Sequence, residues 1–269
     1  MIFSLKNDKL FLSFYVYSGK MALKKRLKVR GNMLRIDHVS KSYDGVKKAC
    51  NDVSLVIEPG DIFGFVGHNG AGKTTLLKSI AGIIDFDEGD ITVDGLNVKK
   101  NPLEVKKRIA YIPDNPDVYE SLSGLQYLEF IADVFDMDQA DCQKAIDQYA
   151  SLFEIRDVLN NPISSYSHGM KQKLVIISAL IHKPKLFLLD EPFVGLDPKA
   201  SFQLKEIFKT MCNQGTAIFF STHVLEVVEK LCNKVAIIKQ GKIVAYGDTQ
   251  TIIKDQSLES IFMEIQKES

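Results

Sequence analysis

The string GHNGAGKTT (67–75) fits the pattern G-x-x-x-x-G-K-[ST]. Gly67, Gly72, Lys73 and Thr74 hold the defining places, with His68, Asn69, Gly70 and Ala71 between them and Thr75 at the end. A loop of this composition can curl so that successive backbone N–H groups point inward at one phosphate. The helix predicted to begin there adds the positive end of its dipole. Lys73 would reach the β- and γ-phosphates of a nucleotide, and the Thr74 hydroxyl would ligate Mg²⁺. His68 reads as one of the free positions of the loop. Further along, LFLLDEP (186–192) puts Asp190 at the end of an apolar run with Glu191 beside it. Two adjacent acids in such a place cost desolvation energy unless a cation lies near. A Mg²⁺-nucleotide supplies that charge. Asp190 would then hold Mg²⁺, usually through water. Glu191, pointing differently, would polarise an attacking water. A chance glycine-rich turn and a pair of solvated acids are the plain alternatives, and the presence of both strings in one chain argues against each.

The surrounding pattern fits the positioning such groups need. LRIDHV (34–39) and VSLVIE (53–58) read as strands, and FGFVG (63–67) is an apolar run feeding the glycine loop. TTLLKSIAGII (74–84) reads as a helix, and ITV (91–93) as a short strand between turns. Leu125, Leu128, Ala132 and Phe135 fall on one helical face, and further helices are expected to about Leu159. LFLLD (186–190) and IFFSTH (218–223) are continuous apolar runs of the kind expected for strands buried on both faces of a parallel sheet. VAIIKQGKIVAY (235–246) reads as a hairpin turning at Gln240-Gly241. The tail 249–269 reads as one or two short helices.

The 269 residues have ordinary globular composition, with 45% apolar and 25% charged residues. The formal net charge is zero, which argues against a general nucleic-acid binder. That zero hides a break. Residues 1–32 carry a net charge of +7 and residues 33–269 a net charge of −7. Segment 1–32 is read as an amino-terminal extension. Three alternatives stand: an interfacial anchor on anionic lipid, a neutral tail, or a start of translation that truly lies at Met33, with Arg30-Gly31 encoded by a purine-rich string just upstream. The four cysteines are widely spaced and form no CxxC pair, which fits neither a disulfide framework nor a zinc site. No apolar stretch is long enough to span a bilayer.

Three further strings narrow the reading. SYSHGMKQKL (165–174) resembles the signature of the ABC ATPases, in a variant form. GLDP (195–198) is similar to their D-loop and STH (221–223) to their switch histidine. The order and separation of these strings along 33–269 resemble an ABC nucleotide-binding domain. The resemblance implies an α/β fold of the P-loop NTPase type. Its parts would be a RecA-like parallel-sheet core, an antiparallel β flank and a helical signature insertion near 115–180.

The resemblance also implies roles. Tyr43 would stack on adenine, unless it is an ordinary strand-end tyrosine. Ser167 and the N–H of Gly169 would contact the γ-phosphate bound by another subunit. Lys171 and Lys173 lie in the first turn of the signature helix, where the helix itself disfavours cations. They call for an anionic neighbour or a solvated face. Asp197 would run along a dimer seam, and His223 would hydrogen-bond the γ-phosphate. Glu191, His223 and Lys73 are thus the expected catalytic residues, and Thr74, Asp190 and Asp114 the expected metal ligands. Asp114, in YIPDNP, stands where the family usually has a Mg²⁺-sensing glutamine, and adds a charge glutamine lacks. His168 and Met170 depart from the usual signature, while Ser167 and Gly169 are kept.

The expected activity is ATP hydrolysis with Mg²⁺, powering a separate polytopic permease. The ending SLESIFMEI (257–265) and the strings above resemble bacterial exporters whose ATPase and membrane subunits are separate chains. Such a subunit would pair with a second ATP-binding subunit, as a homo- or heterodimer. It would be cytoplasmic, peripheral on the inner face of the membrane, with no nucleic-acid partner. The rivals are a soluble ABC ATPase of macromolecular assembly and a nucleotide-binding regulator that does not hydrolyse.

Overall fold

The computed structural model describes residues 31–115, 117–254 and 256–267. The readings made for residues 1–30 lie outside it. Strands β1 (Leu34–Ser42), β2 (Lys48–Ile57), β4 (Glu88–Val93) and β5 (Leu96–Asn97) form an antiparallel sheet in the order β2-β1-β4-β5. The second sheet runs β10-β9-β3-β8-β7-β6. It is built from β3 (Ile62–Val66), β6 (Ile109–Ile112), β7 (Leu186–Asp190), β8 (Ala217–Thr222), β9 (Lys234–Lys239) and β10 (Lys242–Asp248). All neighbours in it are parallel except the β9–β10 hairpin. The expected parallel core with an antiparallel flank is therefore present.

Side chains alternate across a strand, and this sheet uses both faces. Phe187, Leu189, Ile218 and Phe220 point into a core shared with the helices of the signature region. Leu186, Leu188, Ala217, Phe219, Phe63 and Phe65 point the other way, towards the antiparallel sheet and α1 (Lys73–Ile80). A strand buried on both faces shows no polar alternation, which is why these segments read as unbroken apolar runs. α2 (Pro102–Lys106) precedes β6. α3 (Gly124–Val134), α4 (Gln139–Leu152) and α5 (His168–Ile181) follow it, then α6 (Pro198–Asn213), α7 (Leu225–Leu231), α8 (Thr249–Ile252) and α9 (Leu258–Lys267).

Two local expectations change. The helix after the phosphate loop stops at Ile80, not at 84. Gly82 takes the left-handed conformation (φ 64), which ends the helix, and Ile83 beyond it is exposed. On α3, Leu128 and Ala132 are buried as expected, but Phe135 is the residue after the helix and stacks on His182 at 3.7 Å. The helix begins with a capping box between Ser123 and Gln126.

Phe219 is fully buried and lies 5.3 Å from Phe63 and 5.4 Å from Phe65. Phe219→Ala is expected to lower stability by about 3–5 kcal/mol in urea unfolding, the usual cost of such a cavity. A loss below about 1 kcal/mol would contradict this packing.

Candidate active site

The segments leaving the carboxyl ends of β3, β6 and β7 open on one cleft of about 1000 Å³, as expected of a parallel sheet. The loop leaving β3 is held open by sterics. A Cβ on Gly72 (φ 110) would lie 2.1 Å from the Ala49 carbonyl oxygen, so only glycine fits. Lys73 opens α1 and is 6% exposed. Its Nζ donates to the carbonyls of Gly67 at 2.7 Å and His68 at 3.2 Å. An ammonium has three protons to donate, so one remains for a ligand. Burial pulls its pKa below the ordinary lysine value, while Glu191, Asp190 and Asp114 oppose that shift.

Asp190 is 3% exposed and ends β7. Its oxygens accept from Thr74 Oγ1 at 2.5 Å and from the Ser221 hydroxyl. Glu191 follows with φ 49, a left-handed conformation that an L-residue adopts only at some cost. The turn sends its carboxylate away from that of Asp190. Glu191 Oε2 accepts from Thr222 Oγ1 at 2.9 Å, and Oε1 lies 2.8 Å from His223 Nδ1. A carboxylate only accepts, so Nδ1 carries the proton in this contact. The Glu191 backbone N–H donates to the Ser221 carbonyl at 3.0 Å. All of S-T-H thus grips D-E across the β7–β8 pair.

Asn69, Gly70, Gly72, Lys73, Thr74, Thr75, Asp114, Asp190, Glu191 and Tyr43 line the cleft. Tyr43 stands exposed at its mouth, its hydroxyl 3.3 Å from Thr75 Oγ1. The remaining loop residues turn elsewhere. Gly67 offers its carbonyl to Lys73, the Ala71 carbonyl accepts from Gly241 N–H at 2.9 Å, and the His68 ring lies 4.8 Å from that of Phe262 on α9. Ser167 and Gly169 are not in the cleft. Ser167 caps α5, accepting from Met170 N–H at 3.3 Å. Lys171 and Lys173 find their anions within the chain, in Glu120 and Asp197. Asp197 also caps α6.

Sequence reasoning did not place Lys47, Lys48, Ala49, Asn51, Gln240 and Gly241 at the cleft, which they also line. The hairpin turn at Gln240-Gly241 was visible, but its bond to the phosphate loop was not. Ser221 and Thr222 were visible only as the letters before the histidine. Oxygen donors from Thr74, Asp190 and Asp114 around one cleft suit a hard cation that keeps waters and phosphate oxygens as its other ligands. Among the described residues no group of three or more His, Cys, Asp or Glu could hold a metal alone. The donor set therefore fits Mg²⁺ arriving with a nucleotide.

Comparison with known proteins identifies the family. The family described as "ABC transporter" matches residues 50–194. NatA of Bacillus subtilis, an ABC transporter ATP-binding protein, is 35% identical over 217 residues, 80% of this chain and 88% of the relative. The linearmycin resistance ATP-binding protein LnrL of the same organism is 32% identical over 215 residues, 80% of this chain and 69% of the relative. A solved ATP-binding subunit of an ABC transporter has a TM-score of 0.83 at 30% identity, covering 87% of this chain and 99% of that one. A dimeric ATP-binding cassette, solved in a post-hydrolysis state with ADP and phosphate, shares the fold with a TM-score of 0.74 at 21% identity, over 81% of this chain and 99% of that one. The chain belongs to the ABC transporter family, as an ATP-binding subunit with ATPase activity.

Gly72 and Gly70 separate sterics from strain. Gly70 also has positive φ (77), but nothing lies within 4 Å of the Cβ position. Gly70→Ala should weaken ATP affinity by at most about tenfold, the cost of one left-handed residue. Gly72→Ala should abolish measurable binding, since backbone must move. Titration with a fluorescent ATP analogue checks both, and equal effects would contradict this loop geometry.

Proposed function

We propose that the chain binds Mg²⁺-ATP in this cleft, closes on a second ATP-binding subunit and drives a separate membrane permease, in the direction of export. The functional unit is residues 33–269, with the helical insertion near 115–180. Tyr43 packs on adenine. The loop Gly67–Thr75 wraps the phosphates, and Lys73 gives them its remaining proton. Thr74, Asp190 and Asp114 would hold Mg²⁺, which would supply neutralisation of phosphate charge. Glu191 takes a proton from the attacking water as the water oxygen bonds to the γ-phosphorus. The bond from that phosphorus to the bridging oxygen breaks, and its electron pair leaves with ADP. His223 stabilises the γ-phosphate. It donates its Nδ1 proton to Glu191 in the present arrangement, so contact with phosphate requires the imidazolium or a turn of the ring.

The observation that carries the assembly is the separation of the two binding elements. Ser167 and Gly169 sit at the start of α5, outside the cleft that holds Lys73, Asp190 and Glu191. Their polar groups, at a helix N-terminus suited to phosphate, complete a site only on another subunit. Glu191→Gln should keep ATP binding and lose turnover by roughly 10²–10⁴, the range for a general base. With Mg²⁺-ATP that variant should shift to a dimer on a sizing column, or pair with a different ATPase chain in the native complex. Ser167→Arg should remove the shift and leave ATP binding to the monomer intact. Normal hydrolysis by Ser167→Arg in the native complex would refute the composite site.

The permease reading is supported by the relatives. NatA is named an ABC transporter ATP-binding protein, and LnrL a resistance protein, which fits removal of a harmful compound. No described helix is long and apolar enough to cross a membrane. The place expected for this subunit is the cytoplasmic face, held there by the permease. Affinity purification of the tagged full chain from solubilised native membranes should bring down a polytopic chain in stoichiometric amount. Recovery with ribosomes or soluble assembly factors instead would overturn this reading.

A further inference from the structure

We propose that Thr222 is a positioning residue for hydrolysis, its hydroxyl fixing the carboxylate that receives the proton of the attacking water; this rests on the reading of Glu191 as the base. Thr222 is 2% exposed at the end of β8. Its Oγ1 accepts from Val224 N–H at 3.1 Å. A hydroxyl has one proton, and here it is aimed at Glu191 Oε2, 2.9 Å away. The backbone N–H of Val224 thereby sets the direction of the bond, and the single hydroxyl proton is committed to Glu191.

Glu191 needs such a hold. It lies past the end of β7 in a left-handed conformation, and its side chain has several rotamers to lose. Two contacts restrain it, one on each oxygen. The contact to His223 comes from a side chain that is 61% exposed. Water competes there, and on the proposed mechanism this histidine also serves the γ-phosphate. The contact to Thr222 is part-buried, comes from a residue that is itself buried, and has no other duty. When His223 turns to phosphate, Thr222 alone keeps the carboxylate in place. Ser221, one residue earlier, donates to Asp190. Successive hydroxyls on β8 thus address successive acids at and just past the end of β7.

The test is steady-state ATP hydrolysis by the full chain carrying Thr222→Val, Thr222→Ser, Glu191→Gln and the Thr222→Val/Glu191→Gln pair. Valine keeps the shape and removes the donor. Thr222→Val should lose about 10- to 100-fold in kcat, the scale of one hydrogen bond to a charged group, with KM for ATP within about twofold of the parent. Thr222→Ser should restore kcat to within about threefold, since it keeps the hydroxyl. Adding Thr222→Val to Glu191→Gln should slow turnover no further. Thr222→Val should also accumulate the ATP-bound dimer, because binding survives and hydrolysis is slowed. Thermal unfolding is followed in parallel, and Thr222→Ala replaces the valine variant if the latter does not fold. Parent-like kcat in Thr222→Val, with Glu191→Gln inactive, overturns the proposal and leaves the base assignment standing. An active Glu191→Gln overturns the base assignment itself. Equal impairment in Thr222→Ser and Thr222→Val, or a loss expressed only in KM, means that the hydroxyl does not position the base.

Discussion

Two carboxylates on adjacent residues stand at the end of a strand whose other side chains are all buried. Carboxylate oxygens in such surroundings need hydrogen-bond partners, because burying a polar group without one costs free energy. The structure supplies those partners from two elements. Thr74 comes from the helix after the phosphate loop, and Ser221, Thr222 and His223 come from the neighbouring strand. The order β3-β8-β7 in the sheet follows from this need. The strand carrying the acids must lie beside the strand carrying the hydroxyls, in parallel register, with Asp190 opposite Ser221. An antiparallel or slipped pairing would bring the wrong end of β8 to the acids.

The other end of the same sheet is closed by a different device. Lys234, at the start of β9, pairs with Asp61 at 2.7 Å and with Glu58 at 2.6 Å, and Asn233 donates to Asp61. Lys234 and Asp61 are buried, with Glu58 and Asn233 at the surface beside them, and the set ties the amino ends of β3 and β9 together. Polar groups at the carboxyl ends also have partners, but several of those bonds use atoms that a nucleotide would claim. Two of the three Lys73 protons are on loop carbonyls, and His223 Nδ1 is on Glu191. The sheet is thus fixed at one end and exchangeable at the other. A reaction site needs that asymmetry, because contacts that strengthen on ligand binding must first be given up by the protein.

Legibility in the sequence followed the range of the interaction. The phosphate loop was readable because its requirements are local: Gly72 has no room for a side chain, and Lys73 and Thr74 follow directly. The central strands were readable because burial on both faces removes polar alternation. The hairpin at Gln240-Gly241 was readable from its turn residues, since both have positive φ. The overrun of α1 came from apolar residues after Ile80 that continue a helical pattern on paper, where Gly82 ends it. The left-handed backbone of Glu191 left no mark, since nothing in glutamate announces it. The clamp by Ser221 and Thr222 is a contact across strands about 30 positions apart, and serine and threonine before a histidine carry no spacing rule of their own.

The phosphate loop is less self-contained than its motif implies. Gly241 N–H donates to the Ala71 carbonyl, and Asn51 N–H donates to the Gly241 carbonyl, so the β9–β10 turn links the loop to β2. Asn51 and Gly241 also line the cleft. His68, a free position in the motif, rests its ring on Phe262 of α9, and Lys239 Nζ donates to the Ile265 carbonyl of the same helix at 2.6 Å. A loop of glycines has much conformational entropy to lose on ordering. Anchors from both sheets and the carboxyl-terminal helix remove part of that freedom before any ligand arrives, so less of the binding free energy is consumed in shaping the loop. The motif residues define which atoms can meet a phosphate, and these distant backbone contacts hold the loop in the shape from which they can do so.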